Sequence, residues 1–198
     1  MFESQPYLNS QKTPTPLVSR RNFIKNTLLG VTTVCLPSVA FAATKSTSSP
    51  SRRLAFYNTH THEHLDICYH KRGQYLFTSL KEIDYILRDH RTNEIKPINT
   101  DLLNFVHAIS LKVKTKSPFH VISGYRSIKT NQMLRRATSG VAAKSLHTVG
   151  KAIDIRLPGM DTNTLRQTAA KLKKGGVGYY RRSDFVHVDI GAVRYWRS

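Results

Sequence analysis

Two short apolar segments carry ionisable side chains where a strand should be greasy, and they constrain this chain more than any other feature. The first reads Ser145-Leu-His147-Thr-Val-Gly150-Lys-Ala152-Ile-Asp154-Ile155. Asp154 lies among Ala152, Ile153 and Ile155, a strand context, seven residues after a histidine in a glycine-bearing loop. The second reads Asp184-Phe-Val-His187-Val-Asp189. As a strand it puts His187 and Asp189 on one face and Val186 and Val188 on the other. Charged side chains are rarely buried unless they are paired or hold a metal. Taken singly, each histidine reads as a satisfied polar group. Taken together, His147, Asp154 and His187 make a set of two imidazoles and one carboxylate, which suits zinc (Zn) with one coordination position open. An open position is the mark of a hydrolytic site, because the ion acidifies water and polarises a carbonyl.

The rest of the chain reads as a framework for these segments. Leu54–Tyr57 and His64–Tyr69 look like two short strands joined by a polar turn. Ser79–Arg91 has helical spacing at Leu80, Ile83, Ile86 and Leu87, with Ser79 as N-cap and Glu82 completing a capping box. Thr100–Lys114 presents Leu102, Leu103, Val106, Ile109 and Val113 on one face. Phe119–Ser123 reads as a buried strand, Ser127–Thr138 as a helix and Gly140–Val149 as a loop. Ala152–Leu157 reads as a strand, and Asp161–Lys174 as a helix ended by Gly175-Gly176. Val177–Tyr180 and Phe185–Ile190 are the last strands. Helices come early and strands later without regular alternation, which favours an α+β fold with an antiparallel sheet flanked by helices.

The N-terminus points to export. Arg20-Arg21 with Phe23 and Lys25 matches the twin-arginine consensus. A short apolar stretch follows and ends in Ala40-Phe41-Ala42, a cleavage signature. The alternative is a retained membrane anchor. Against it, the apolar run is shorter than the ~20 residues a spanning helix needs, and it contains Thr32, Thr33 and Pro37. Residues 1–42 thus read as a signal peptide, 43–51 as a small polar linker and 52–198 as the working domain. Its localisation is expected to be periplasmic.

Residues 1–42 hold four basic residues and one acid, so 43–198 keep 27 basic and 11 acidic residues, a net charge of +16. That balance fits nucleic acid or an anionic wall polymer equally well. The export signal and the lack of a nucleic-acid motif favour the wall. Cys35 lies in the signal, so Cys68 is alone and no intramolecular disulfide forms in the exported domain.

Four motifs stand in order: Ser123-Gly-Tyr-Arg-Ser127, Ser145-x-His147-x-x-Gly150-x-Ala152-x-Asp154, Gly175-Gly-Val-Gly-Tyr-Tyr180 and Phe185-Val-His187-x-Asp189. Through them the chain resembles the M15-type zinc peptidases of Hedgehog/DD-peptidase fold, and among these the twin-arginine-exported murein endopeptidases. The resemblance runs from about Leu54 to Trp196. It implies His147, Asp154 and His187 as metal ligands, and Arg126 as the guanidinium facing the substrate carbonyl, where an oxyanion develops. It implies Asp184, three residues before the last ligand, as general base. Asp189 is the second candidate, better suited to holding a ligand histidine in one tautomer. Tyr125 and Ser145 are expected to line the site.

His60-x-His62-x-His64 would share one strand face and could hold a metal, but its polar neighbours Thr59, Thr61 and Glu63 read as an exposed turn. His120 reads as structural or groove-lining. Tyr179 and Tyr180 read equally as cleft wall or core. The expected activity is zinc-dependent hydrolysis of peptidoglycan cross-links, its partners being stem peptides and cross-links. The alternatives are a D-alanyl carboxypeptidase or dipeptidase of the same fold and a non-catalytic wall-binding module.

Overall fold

A computed structural model of the chain describes residues 50–138 and 141–198. The expected signal peptide, most of the expected linker and Gly140 of the expected loop lie outside the described residues. The elements in order are β1 (Arg52–Asn58), β2 (His64–Lys71), β3 (Gln74–Tyr75), α1 (Phe77–Ile86), α2 (Thr100–Val113), β4 (Phe119–Ser123), α3 (Ile128–Ala137), a 3-10 turn (Leu146–Val149), β5 (Ala152–Arg156), α4 (Thr162–Lys171), β6 (Gly176–Tyr180), β7 (Phe185–Asp189) and β8 (Arg194–Arg197). Among the described residues no helix is long and apolar enough to cross a membrane.

The eight strands form one sheet in the order β3-β2-β1-β4-β5-β7-β6-β8. The sheet is mixed, which corrects the antiparallel expectation: β1 pairs with β4, and β6 with β8, in parallel. The cause is the crossover. α1 and α2 intervene between the β2–β3 hairpin and β4, so the chain re-enters beside β1 in the same direction.

Strand alternation sorts the two faces. Leu54 and Phe56 of β1, Phe119 and Val121 of β4, Ile153 and Ile155 of β5, and Val186 and Val188 of β7 are all buried in the core. They pack under α1, α2 and α4. Asp154 and His187, one residue out of phase, face the other side.

The helix starts are set by side chains. Asn99 accepts from Asp101 N at 2.8 Å, Ser127 from Thr130 N at 3.1 Å and Asp161 from Thr164 N at 2.8 Å. α1 differs from expectation at both ends. It starts at Phe77, so Ser79 lies inside it, buried, and caps nothing. It stops at Ile86 because one tertiary bond and one local side-chain bond take the groups that would continue it. The Leu87 carbonyl accepts from Tyr125 N at 2.7 Å, and Arg91 N donates to Asp89 Oδ1 at 2.9 Å.

Candidate metal centre

Three elements meet on the uncovered side of the sheet. His147 comes from the 3-10 turn, which Ser145 starts by accepting from His147 N at 3.4 Å. Gly150 ends that turn with φ 65°, and a Cβ there would lie 2.3 Å from Pro97 O, so only glycine fits. Asp154 is central in β5 and pairs across the ladder with His187 of β7.

Hydrogen bonds fix which nitrogen of each ring is free. His147 Nδ1 lies 2.7 Å from the Gly124 carbonyl, which can only accept, so Nδ1 carries the hydrogen. His187 Nε2 lies 2.9 Å from Asp189 Oδ2 and carries the hydrogen there. The lone pairs of His147 Nε2 and His187 Nδ1 therefore face each other at 3.1 Å. Asp154 Oδ1 stands 3.3 Å from the first and 2.8 Å from the second. Three converging lone pairs require a cation between them. Donors bound to one tetrahedral ion at about 2.0–2.2 Å stand about 3.3–3.6 Å apart, slightly wider than the spacing here. His147, Asp154 and His187 thus fit a metal ion, and among the described residues they are the only such group.

Asp189 is fully buried and held by four donors: His187 Nε2, Gly176 N at 3.1 Å, Gly191 N at 2.8 Å and Arg194 at 2.7 Å. It is thereby a fixed anion that orients the His187 ring. Burial disfavours charge on His187, but the hydrogen bonds to Asp154 and Asp189 override this and push its pKa up to about 9. Burial pushes His147 the other way and keeps it neutral. Burial opposes ionisation of Asp154 too, yet the two histidines hold its carboxyl well below the usual range.

With no metal bound, a proton on His187 fills the cation's role, so metal must displace that proton. Below the His187 pKa of about 9, metal affinity is expected to rise about tenfold per pH unit. Zinc titration of chelator-stripped protein between about pH 6 and about pH 8 checks this, and a pH-independent affinity contradicts it.

Arg126 lies between β4 and α3, with one guanidinium nitrogen 3.5 Å from Asp154 Oδ2 and 3.3 Å from Ser123 Oγ. Its Nε–H is buried with no acceptor among the described residues. Burial lowers its pKa against the pull of Asp154, yet a guanidinium stays charged. The surrounding cleft has a volume of about 540 Å³ and is lined also by Lys144, Ser145, Tyr180, Phe185, Arg194 and Trp196.

Other expected residues fall elsewhere. Asp184 does not line the cleft: its carboxylate accepts from Thr162 Oγ1 and lies 3.6 Å from Arg156. Its left-handed backbone, φ 52°, sits in the turn between β6 and β7. Asp184→Asn is therefore expected to keep kcat/KM within about threefold. A loss above about 10²-fold on a cross-linked muropeptide would restore Asp184 as the base. Tyr125 does not line the cleft either. It is 8% exposed and belongs to the core, because its N–H is drawn onto Leu87 O.

The histidines of the β1–β2 turn are dispersed. His60 stacks on His90 at 3.8 Å, while His62 bonds the Tyr57 hydroxyl at 2.8 Å. His64 and His120 both pack on the Tyr57 ring. Tyr180 joins the cleft wall, whereas Tyr179 packs with Arg166.

Sequence reasoning missed β8. Trp196 lies over His187 at 5.2 Å and fills the space at Gly178, where a Cβ would meet its ring at 2.4 Å. The only sequence signal is the Gly-x-Gly of Gly176 and Gly178, which marks close approach by a neighbour.

The family model described as Peptidoglycan L,D-endopeptidase MepK matches residues 45–196. The peptidoglycan L,D-endopeptidase MepK of Escherichia coli K12 is 41% identical over 161 residues, covering 81% of this chain and 87% of that protein. The probable peptidoglycan L,D-endopeptidase MepK of Haemophilus influenzae is 40% identical over 154 residues, covering 77% and 82%. The solved structure of Serratia marcescens L-Ala D-Glu endopeptidase ChiX overlaps 49% of this chain and 70% of its own at 18% identity and a TM-score of 0.33, too slight a likeness to argue from. With a match over three quarters of its length and relatives 40% identical or better, the chain belongs to the MepK family of M15-type peptidases.

Proposed function

We propose that this protein is a zinc-dependent peptidoglycan L,D-endopeptidase of Hedgehog/DD-peptidase-like fold. In this reading it is exported by the twin-arginine route and acts in the periplasm on peptide cross-links. The observation that carries the reading is the convergence of three lone pairs from His147, Asp154 and His187 inside an open cleft. The family and its relatives supply the substrate class.

Zinc, held by those three residues, would supply Lewis acidity toward water and toward the substrate carbonyl. The chain's own groups do the rest. The Arg126 guanidinium, which borders the cleft 3.5 Å from Asp154, would stabilise the oxygen that gains charge as the amide carbonyl is attacked. Arg194 and Asp189 keep the His187 ring from rotating. Trp196 and Tyr180 wall the cleft, and their contact through Trp196 Nε1–H to the Tyr180 hydroxyl, at 3.3 Å, ties β8 to β6. Asp154 is the only carboxylate side chain among the described lining residues.

Digestion of purified murein sacculi, followed by mass analysis of the products, tests the reading. Loss of cross-linked dimer that is abolished by chelator and restored by zinc is expected. Activity that persists in chelator, or products lacking only terminal D-alanine, would overturn it.

A further inference from the structure

Residues 102–153 contain no Asp or Glu, and the second half of that run builds one wall of the cleft. α3 lies at its centre and separates two grooves. One, of about 420 Å³, runs between α3 and residues 143–149 and is lined by Arg135 and Lys144. The other, of about 560 Å³, lies on the opposite flank beside Arg91 and Thr92 and is lined by Arg91, Lys129 and Arg136. Gln132 borders both grooves, and the first shares Lys144, Ser145 and Leu146 with the catalytic cleft. The surface is therefore continuous from the triad, across α3, to Arg91.

No acid lines either groove, and among the described residues none of these five cations is ion-paired. The demands of the helix do not account for them all. Arg135 and Arg136 sit in the last turn, where the dipole favours cations, but Lys129 sits in the first turn, where it does not, and no acid accompanies it. Five cations held together without counter-charge repel one another and attract a polyanion.

We propose that the two grooves flanking α3 form a cationic exosite that holds a carboxylate-rich peptide strand of the murein polymer while the scissile amide lies at the triad. This rests on the peptidoglycan reading above and adds a binding surface that no ligand residue of the triad provides. Charge complementarity and continuity with the cleft select this occupant. An anionic membrane would also meet cations, but it needs one apolar face beside them. Ile128 and Met133, 67% and 46% exposed, line different grooves. They stand about 140° apart around the helix, so they form no common apolar face.

The test compares two triple charge reversals of equal size in the full-length zinc-loaded protein. One is Lys129→Glu/Arg135→Glu/Arg136→Glu. The other is Lys112→Glu/Lys116→Glu/Lys174→Glu, at exposed sites that line neither groove nor cleft. At low ionic strength the first variant is expected to digest sacculi about tenfold more slowly than the unaltered protein. It should cut a soluble cross-linked muropeptide dimer at the unaltered rate and keep its zinc content. Added salt should narrow the gap on sacculi. The second variant should match the unaltered protein on both substrates.

Four results would overturn the exosite: the first variant digests sacculi normally, it loses the dimer activity equally, the second variant slows as much, or the first variant loses binding only to phosphatidylglycerol vesicles. If the unaltered protein cuts neither substrate, the peptidoglycan reading fails and takes the exosite with it. That outcome is distinct from a variant that cuts both normally, which removes the exosite alone.

Discussion

Asp154→Asn is expected to weaken metal binding by about 10²–10⁴-fold and to bring peptide hydrolysis down to background. The substitution keeps the shape of the side chain and removes only its charge. Among the described residues Asp154 is the only acidic side chain lining the cleft, with His187 Nδ1 at 2.8 Å, His147 Nε2 at 3.3 Å and Arg126 at 3.5 Å. Asp154 is 5% exposed, so water does not replace it. Breaking one side of a buried ion pair costs about 3–5 kcal/mol, because the partner charge remains buried without compensation. Here two partners remain, Arg126 and the protonated His187. The cost is therefore expected in the stability of the metal-free protein as well as in zinc affinity. Calorimetric titration with zinc and thermal unfolding of the metal-free variant measure the two separately. Unchanged affinity would remove Asp154 from the ligand set.

Gly124→Ala is expected to cost about 1–3 kcal/mol of stability and about 10²-fold in hydrolysis, although no atom of the new methyl reaches the cleft. A Cβ at this position would lie 2.4 Å from Leu87 O and 2.9 Å from Leu87 Cβ. Neither can yield without moving the end of α1. Three bonds depend on that close approach: Tyr125 N to Leu87 O at 2.7 Å, His147 Nδ1 to Gly124 O at 2.7 Å, and Arg126 N to His147 O at 3.2 Å. Together they set the tautomer of His147 and the position of Arg126, the proposed oxyanion donor. Gly73→Ala is the control. Its φ is +80° but nothing lies within 4 Å of its Cβ, so it carries only the strain of a left-handed alanine, about 1 kcal/mol, and should leave activity unchanged. Full activity in Gly124→Ala would show that the Leu87 contact does not position the site.

The proposed metal ligands were readable because strand parity is local. Asp154 and His187 fall one residue out of phase with Ile153, Ile155, Val186 and Val188, and that phase alone puts them together on one face. Asp184 was misplaced because a left-handed turn residue leaves no local signature, and its φ decides where the carboxylate goes. Tyr125 was misplaced because its burial follows from a bond to Leu87, which is 38 positions earlier in the chain. The same bond ends α1, so the apolar spacing at Ile83, Ile86 and Leu87 overstated the helix. The mixed sheet was hidden for a related reason: a parallel β1–β4 pair depends on which edge the chain returns to after α2, and periodicity does not encode that. Asp89 gave no signal at all. Its buried carboxylate, accepting Ser127 N at 2.8 Å and Arg91 N at 2.9 Å, is what fastens the start of α3 beside Arg126.

One metal ion held by His147, Asp154 and His187 is proposed to make this fold a murein peptidase. Chelator-stripped protein titrated with zinc, with cross-linked dimer hydrolysis and bound metal followed together, tests it most directly. Hydrolysis should rise in proportion to bound zinc, stop rising at one ion per chain, and be absent from His187→Ala at every zinc concentration. Hydrolysis by the stripped protein, or by His187→Ala, at the unaltered rate would contradict it.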